Sequence, residues 1–286
     1  MGHHFVPQAH LRPFQVPDAP GMIWVYPRGG EPRLAAIKNV AQASGFYDED
    51  VERDLNTYVE GPANPIFDKL RRGEFIDTDE RFQVTLYLAT MVKRVPRSRE
   101  RGEALIPGQL EETIAEFRTA IVEYAAQRGA TPEARERWLR NLKAIEDKWR
   151  VETPPEVMDE ISKPWPSDRQ VAIIAGMQWR VLVTEPPEMF ITSDNPAFFF
   201  ESIGIAKERG GELCFPLSPT HCLHCCHQRI RQPLVFITPD RETVREMNRR
   251  VASAATSIVM AHRKESWPMK LLQRKPGLRR INWMHT

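Results

Sequence analysis

Apolar residues recur at helical spacing through the middle of the chain. The pattern begins with Val51, Leu55 and Tyr58, and the stretch from Phe82 to Val95 is apolar on most faces, as in a helix that is buried all round. Two amphipathic stripes follow, and they consist of Leu110, Ile114, Phe117, Ile121 and Tyr124, and of Trp138, Leu142, Ile145 and Trp149. Thr131 and Pro132 have the residue types of a helix cap and a first helical position. We therefore predict a helical part over residues 48–165, with two antiparallel helices at its end.

The periodicity changes to strand-like alternation after the proline-rich segment from Pro154 to Pro166. A helix from near Ser167 is expected to lead into strands at Trp179 to Val183, Met189 to Thr192, Leu213 to Leu217, Cys222 to His227 and Leu234 to Ile237. We expect the last two of these strands to pair with each other. A final helix begins near Pro239 and should cover the sheet with an apolar face of Val244, Met247, Val251, Ala255 and Ile258.

Proline dominates the beginning of the chain. Six prolines between His3 and Arg33 predict an irregular arm, which feeds a short strand or hairpin around Ile23 to Tyr26. The order of arm, helices, sheet and helix predicts an α+β fold in which a helical half packs beside a mostly antiparallel sheet. We predict a single domain over residues 1–286, with the arm and hairpin at 1–47, the helical part at 48–165, and the sheet with a carboxy-terminal helix at 166–286.

Charge and cysteine usage narrow the range of partners. The 40 Lys and Arg residues nearly balance 38 Asp and Glu residues, so the net charge of +2 gives no overall attraction to nucleic acid or to anionic membranes. No apolar run approaches the roughly 20 residues that span a bilayer, and the amino terminus lacks the pattern of a signal peptide. We expect a cytoplasmic protein with no membrane partner, with reduced thiols and a solvated basic tail at Arg274, Lys275, Arg279 and Arg280.

Histidine and proline form an unusual pattern in the arm, where His4-Phe5-Val6-Pro7 is followed by Leu11 and Phe14. This opening resembles that of the uncharacterised family catalogued as domain of unknown function 4238. Further similar stretches are Asn39 through Phe46-Tyr47, Glu52 to Glu60, Arg94-Val95-Pro96, Trp179, Phe190 to Pro196, Phe215 to Pro219 and Asn248. The resemblance covers most of the chain and implies a related fold, but it implies no established activity. The family pattern usually has an aromatic residue where this chain has His10.

The segment Ser193-Asp194-Asn195-Pro196 ends an apolar strand. A capped turn explains every residue type in it, because Asp and Asn bond neighbouring amides and proline stops a strand ladder. The functional alternative places the Asp194 carboxylate at the carboxyl end of a strand. There His4 and Glu60 could join Asp194 as ligands of one divalent metal ion, which is the cofactor we expect.

Arg94 ends the most apolar helix and therefore lies where the core meets the surface. It could hold Asp194 or Glu60 in a structural ion pair, or it could act as an anion clamp for phosphate together with neighbouring cations such as Lys93 and Arg97. Asn248 lies on the apolar stripe of the last helix and needs hydrogen-bond partners there. The backbone of the Ser193 to Pro196 turn would supply them, whereas the functional alternative makes Asn195 and Asn248 ligand-binding residues.

The cysteines suggest a zinc site at first sight, since Cys222 and Cys225 have the spacing of a ligand pair with histidines nearby. Strand alternation contradicts this interpretation, because it sends Cys222 and Cys225 to opposite faces of the sheet. We expect no structural zinc at Cys222 and Cys225.

Two functional hypotheses follow. The first is a metal-assisted hydrolase, such as a nuclease or phosphodiesterase, with His4, Asp194 and Arg94 as catalytic residues and His4, Glu60 and Asp194 as metal ligands. The second is a non-catalytic sensor or toxin-like module that binds an anionic small molecule or nucleic acid without turnover. The first hypothesis predicts that His4, Glu60, Arg94 and Asp194 surround one polar cleft where the arm crosses between the helices and the sheet.

Overall fold

A computed structural model describes residues 2–44, 48–151, 163–200, 211–227 and 232–273. It divides the chain into two compact units, one of Met1–Pro96 with Pro164–Thr286 and one of Arg97–Lys163. This division describes contacts and does not bear on whether the chain folds in one cooperative step, so the expected single domain stays a prediction. The motif residues Phe46 and Tyr47 and the basic tail from Arg274 lie outside the described residues.

Nine α-helices occur in the described ranges. They are α1 Gln8–Leu11, α2 Glu49–Asp54, α3 Gly61–Arg71, α4 Thr78–Arg94, α5 Pro96–Gln127, α6 Pro132–Val151, α7 Asp168–Gly176, α8 Arg241–Ala254 and α9 Trp267–Gln273. A π-helix over Leu55–Glu60 joins α2 to α3. Capping explains where several helices begin: Asp77 and Ser167 each form a capping box, and the Asp240 side chain accepts a hydrogen bond from the Thr243 amide.

Eleven strands occur in the same ranges. They are β1 Gly2–His4, β2 Met22–Pro27, β3 Arg33–Ala36, β4 Gln42–Ser44, β5 Gln178–Val183, β6 Thr192–Ser193, β7 Phe198–Phe200, β8 Glu212–Ser218, β9 His221–Cys226, β10 Leu234–Ile237 and β11 Ile258–Ala261. They form a five-stranded sheet in the order β10-β5-β9-β8-β7, a four-stranded sheet in the order β3-β2-β11-β6, and the pair β1-β4. All pairings are antiparallel except that of β10 with β5. The predicted α+β class with a mostly antiparallel sheet is confirmed.

The five-stranded sheet is buried on both faces. One face carries Trp179, Phe215 and Leu223, which pack in one core cluster with residues of α3, α4 and α7. The other face carries Leu182 and Cys214 in a second cluster, which includes apolar residues of α8. Each large side chain buried in this way contributes about 1.5–3 kcal/mol. The sheet therefore fixes the position of α8, which packs on one of its faces, and of the loops that leave the ends of its strands.

Three local expectations were wrong. Leu234–Ile237 pairs with β5 and not with β9, because β5 lies between them and offers its second edge. Met189 to Ile191 forms no strand, and only Thr192–Ser193 joins a ladder. Ile258 lies in β11 and not on the last helix, which ends at Ala254.

The second unit contains most of α5 and all of α6. Leu110 and Ile114 on α5 pack with Leu142 on α6, so the two predicted stripes do meet. Thr131 accepts a hydrogen bond from the Ala134 amide at 3.3 Å, which confirms its predicted role as the cap. None of the helices in the described ranges combines the length and the apolar composition that crossing a membrane requires.

His10 lies in the core of the first unit. Its ring is 4.7 Å from the Phe215 ring and 5.8 Å from the Phe14 ring, centroid to centroid, and its Nε2 is 2.9 Å from Thr192 Oγ1. Burial, together with the charge of Arg71, lowers the pKa of His10 from 6.5 to about 3. The imidazole is therefore neutral in the folded protein and takes the place of an aromatic core residue.

Replacing His10 with Phe should reduce the acid sensitivity of the fold. A histidine whose pKa is lower in the folded state than in the unfolded state stabilises the fold fully above the unfolded pKa, and this stabilisation is lost as the pH falls below it. Between pH 7.5 and pH 5.0 we expect the wild type to lose about 2 kcal/mol of unfolding free energy more than His10→Phe does. Urea denaturation at the two pH values measures this difference. Equal losses in both proteins would contradict the buried, neutral state of His10.

Candidate functional site

Arg94 ends α4 with its side chain only 1% exposed. Its Nη1 donates a hydrogen bond to Glu60 Oε1, and its Nη2 donates one to the main-chain oxygen of His4. Glu52 Oε2 lies 3.9 Å from Nη2. The guanidinium thus joins α4, the π-helix and the amino-terminal arm. This arrangement is the structural ion pair with Glu60 that was one of the alternatives for Arg94.

The His4 side chain is held within the arm. Its Nδ1 is 3.2 Å from the Val40 oxygen, and its Nε2 is 3.1 Å from Gln8 Nε2. Because a carbonyl can only accept and an amide nitrogen can only donate, Nδ1 carries the proton and Nε2 accepts. Both ring nitrogens are therefore used in hydrogen bonds to the arm itself.

Asp194 is held at a different junction, where α8 is followed by β11. Its carboxylate accepts hydrogen bonds from the amides of Thr256 at 2.8 Å, Ser257 at 2.6 Å and Ile258 at 3.1 Å. Burial raises the pKa of Asp194 above its ordinary value, although the three amides act in the opposite direction. The carboxylate ties the turn after α8 to the start of β11.

The two asparagines are also bonded to the backbone. Asn195 Nδ2 donates to the Ala254 oxygen at 2.9 Å and so caps the end of α8. Asn248 Nδ2 donates to the Met189 oxygen at 2.7 Å, and its Oδ1 accepts from the Ile191 amide at 3.0 Å. Asn248 therefore bonds the segment just before the Ser193 to Pro196 turn, whereas we expected it to bond the turn itself.

The structure brings together His4, Glu60 and Arg94, but it gives Asp194 partners of its own. Asp194 forms no hydrogen bond or ion pair with those three residues in the described ranges, where it bonds to the segment 256–258. Nor do the described residues contain a group of three or more His, Cys, Asp or Glu side chains arranged to hold a metal ion. His4 and Glu60 are bonded to protein groups, and the expected divalent metal ion at His4, Glu60 and Asp194 stays a prediction.

The cysteine strand alternates as expected. Cys222 packs in the cluster on the α8 face and Cys225 in the cluster on the α3 and α4 face. Burial raises the pKa of both thiols, so they are protonated at neutral pH. The alternation is confirmed, and the absence of a structural zinc at Cys222 and Cys225 stays a prediction.

A buried charge network under α8 was missed by the sequence reasoning. Glu212 Oε2 lies 2.9 Å from His224 Nε2 and 2.5 Å from Arg250 Nη1, and Arg250 Nε lies 3.4 Å from Glu246 Oε1. Burial alone would raise the pKa of Glu212, but the hydrogen bond and charge of His224 and the charge of Arg250 lower it to about 2. The opposite oxygen of Glu246 is 2.7 Å from Arg249 Nε, so this network reaches the outer face of α8.

A pocket of about 390 Å³ lies at that outer face, and the sequence reasoning also missed it. Its walls come from the loop before β6, from α8 and from α9. It is lined by Pro187, Glu188, Met189, Arg241, Val244, Arg245, Asn248, Arg249, Trp267 and Leu271. Asn248, one of the two asparagines considered as ligand-binding residues, is among the lining residues. A second signal in the sequence was the spacing of Arg241, Arg245 and Arg249, which places three guanidinium groups on one side of a helix.

A family model described as a protein of unknown function, DUF4238, matches residues 2–265. The chain therefore belongs to that family. No curated protein and no solved structure matches the chain.

Removing one partner of the Arg94–Glu60 pair should destabilise the fold strongly. Arg94→Met leaves the Glu60 carboxylate without its buried cation, and the loss of one partner of a buried pair typically costs about 3–5 kcal/mol. In Arg94→Met/Glu60→Leu the carboxylate closest to Arg94 is removed together with the cation, and Glu52, which is partly exposed, is the carboxylate that still loses a partner. We therefore expect this double variant to be less destabilised than the sum of the single variants. Urea denaturation measures the unfolding free energy of all three variants.

Arg53→Met, which removes an exposed ion pair with Asp50, is the control and should change stability little. Additive effects at Arg94 and Glu60 would contradict their coupling.

Asp194→Asn should also destabilise the fold, because an amide offers one accepting oxygen where the carboxylate binds three amides through two oxygens. We expect a loss of about 2–4 kcal/mol, since hydrogen bonds to a charged group contribute more than neutral ones. Amide hydrogen exchange at Thr256 to Ile258 should become faster in this variant. Unchanged stability and exchange would show that Asp194 is not mainly a structural clamp.

Proposed function

We propose that this chain is a binding module for a small organic anion, and that its ligand site is the pocket between α8, α9 and the loop before β6. The observation that carries the proposal is the combination of apolar walls with a row of arginines in one concave site. Small-molecule sites in proteins typically combine apolar walls with a few polar groups, at volumes of roughly 300–1,000 Å³.

The walls are well suited to bury part of a ligand. Val244 and Met189 are buried, and Trp267 and Leu271 are half-buried on the facing helix. These side chains would shield a bound apolar group from water on several sides. Removing apolar surface from water is the main source of favourable free energy in such sites.

The charge of the lining favours an anion. Three arginines and one glutamate are among the lining residues, and Glu242 and Glu246, which pair with these arginines, do not line the pocket, so the groups that a ligand meets at the rim are mostly cationic. A guanidinium presents several donors in a planar fork that matches a carboxylate or a phosphate. The modest volume favours a small molecule over a nucleic-acid strand, which would need a longer basic groove.

The hydrogen bonds of the other candidate residues support binding over hydrolysis. His4, Glu60, Arg94 and Asp194 are all engaged by protein groups, and a metal-assisted hydrolase would require His4 and Glu60 to exchange these partners for a metal ion. The pocket requires a smaller exchange, because Arg245 at its rim is held by a carboxylate only at 4.0 Å. We therefore favour the second of the two hypotheses over the first.

The proposal predicts binding without turnover. We expect at least one of four probes, benzoate, 4-nitrophenyl phosphate, adenosine 5′-monophosphate and inorganic phosphate, to shift the NMR signals of α8, α9 and the Trp267 indole saturably. Bis(4-nitrophenyl) phosphate should not be cleaved above the protein-free rate with Mg²⁺, Mn²⁺ or Zn²⁺.

A variant that fills the pocket supplies the control. Leu271→Trp should weaken binding, since it occupies the space beside Trp267, whereas Leu34→Trp on the exposed strand β3 should not. Metal-dependent cleavage that increases with protein concentration would overturn the proposal. So would the absence of pocket shifts with every probe.

A further inference from the structure

The three arginines of the pocket are not equivalent. Arg241, Arg245 and Arg249 are each four residues apart on α8, so they form a row about 12 Å long. Arg241 Nε lies 2.7 Å from Glu188 Oε1, and Arg249 lies 2.6 Å from Glu242 and 2.7 Å from Glu246. The charges at the two ends of the row are therefore compensated by close carboxylates.

Arg245 lies in the middle of the row, and its positive charge is the least compensated by carboxylates. Its ion pair in the described part of the chain is with Glu242 Oε2, at 4.0 Å, and the other oxygen of that carboxylate already bonds Arg249. The Arg245 side chain is 54% exposed at the rim of the pocket. An exposed pair at this distance contributes little, so a ligand could replace Glu242 at Arg245 at small cost.

The buried part of the lining offers a ligand few polar atoms. Asn248 is the polar residue there, and its amide oxygen and nitrogen both bond the backbone of the 189–191 segment. The surrounding surface comes from Met189, Val244, Trp267 and Leu271. A polar group placed there would lose its hydrogen bonds to water with little replacement, which favours an apolar group as the buried part of the ligand.

From these two features we infer that the ligand is a small apolar monocarboxylate, whose carboxylate binds Arg245 and whose apolar body packs between Val244, Trp267 and Leu271. This inference rests on the proposed binding function and specifies its ligand class. One weakly paired guanidinium matches one negative charge, and it can donate two parallel hydrogen bonds to a carboxylate. A phosphate dianion would bring a second charge close to the carboxylates of Glu188, Glu242 and Glu246, which would repel it.

Three naphthalene derivatives and acetate test separately how much the negative charge and the apolar body of the ligand contribute to affinity. We expect 2-naphthoate to bind at least about tenfold more tightly than 2-naphthylmethanol, which lacks the charge, and than acetate, which lacks the body. It should also bind more tightly than 2-naphthyl phosphate. NMR titration of the Trp267 indole and of the α8 amides measures all four affinities.

Two arginine variants test the anchor. Arg245→Gln should weaken 2-naphthoate about tenfold and leave 2-naphthylmethanol unchanged. Arg53→Gln is the matched control, because Arg53 also forms an exposed pair with a carboxylate three residues away and lies outside the pocket. It should leave both affinities unchanged.

The outcomes distinguish the ligand class from the function. Tighter binding of the phosphate, equal binding of the alcohol, or an unchanged 2-naphthoate affinity in Arg245→Gln would overturn the monocarboxylate inference while the pocket still bound a ligand. If no probe in either panel shifted the pocket signals, the proposed binding function itself would fail, and the inference with it.

Discussion

The first unit depends on a buried cation that the protein must compensate. The Arg94 guanidinium lies in the interior, where an unpaired charge would be several kcal/mol less stable than a paired one. Its two donors reach Glu60 on the π-helix and the main-chain oxygen of His4. Satisfying one charge therefore brings three distant parts of the sequence together and holds the arm where Val6, Leu11 and Phe14 can form their own apolar cluster. Docking in this way offsets the entropy that ordering an irregular arm costs.

The polar residues of the motifs share one physical role, which is to bond backbone at places where regular structure stops. Asp194 bonds the amides of the turn after α8, Asn195 caps that helix, and Asn248 holds a segment that has no ladder. Such residues have the same types and positions as catalytic groups, since both occur at strand and helix ends. The partners of the polar atoms separate the cases only in part, because Asn248 bonds the backbone and also lines the pocket.

Local signals in the sequence predicted the fold class and many element ends, because caps such as Ser167 and Thr131 act within one turn of helix. The alternation of β9 also followed from the sequence, since side chains on a strand must alternate. Strand partners did not follow, because apolar strands buried on both faces give no preference between neighbours, and β10 joined β5. The pocket was predictable only at Asn248, which was one of the two candidate ligand-binding asparagines. Arg241, Arg245 and Arg249 have the pattern of a solvated helix face, and Trp267 and Met189 reach them only through tertiary folding.

Glu246 makes the two sides of α8 energetically inseparable. One oxygen of its carboxylate bonds Arg249 at the pocket and the other faces Arg250 in the core, which in turn shares Glu212 with His224. Neighbouring groups in one charge network do not contribute independently to stability. The effects of changes at Arg249 and Arg250 on stability will therefore be non-additive, and a substitution in the core network would reach Arg249 at the pocket without changing a lining residue. Arg245 is bound to this network only through a long contact with Glu242, so among the three arginines of the row it is the one whose replacement should disturb the fold least.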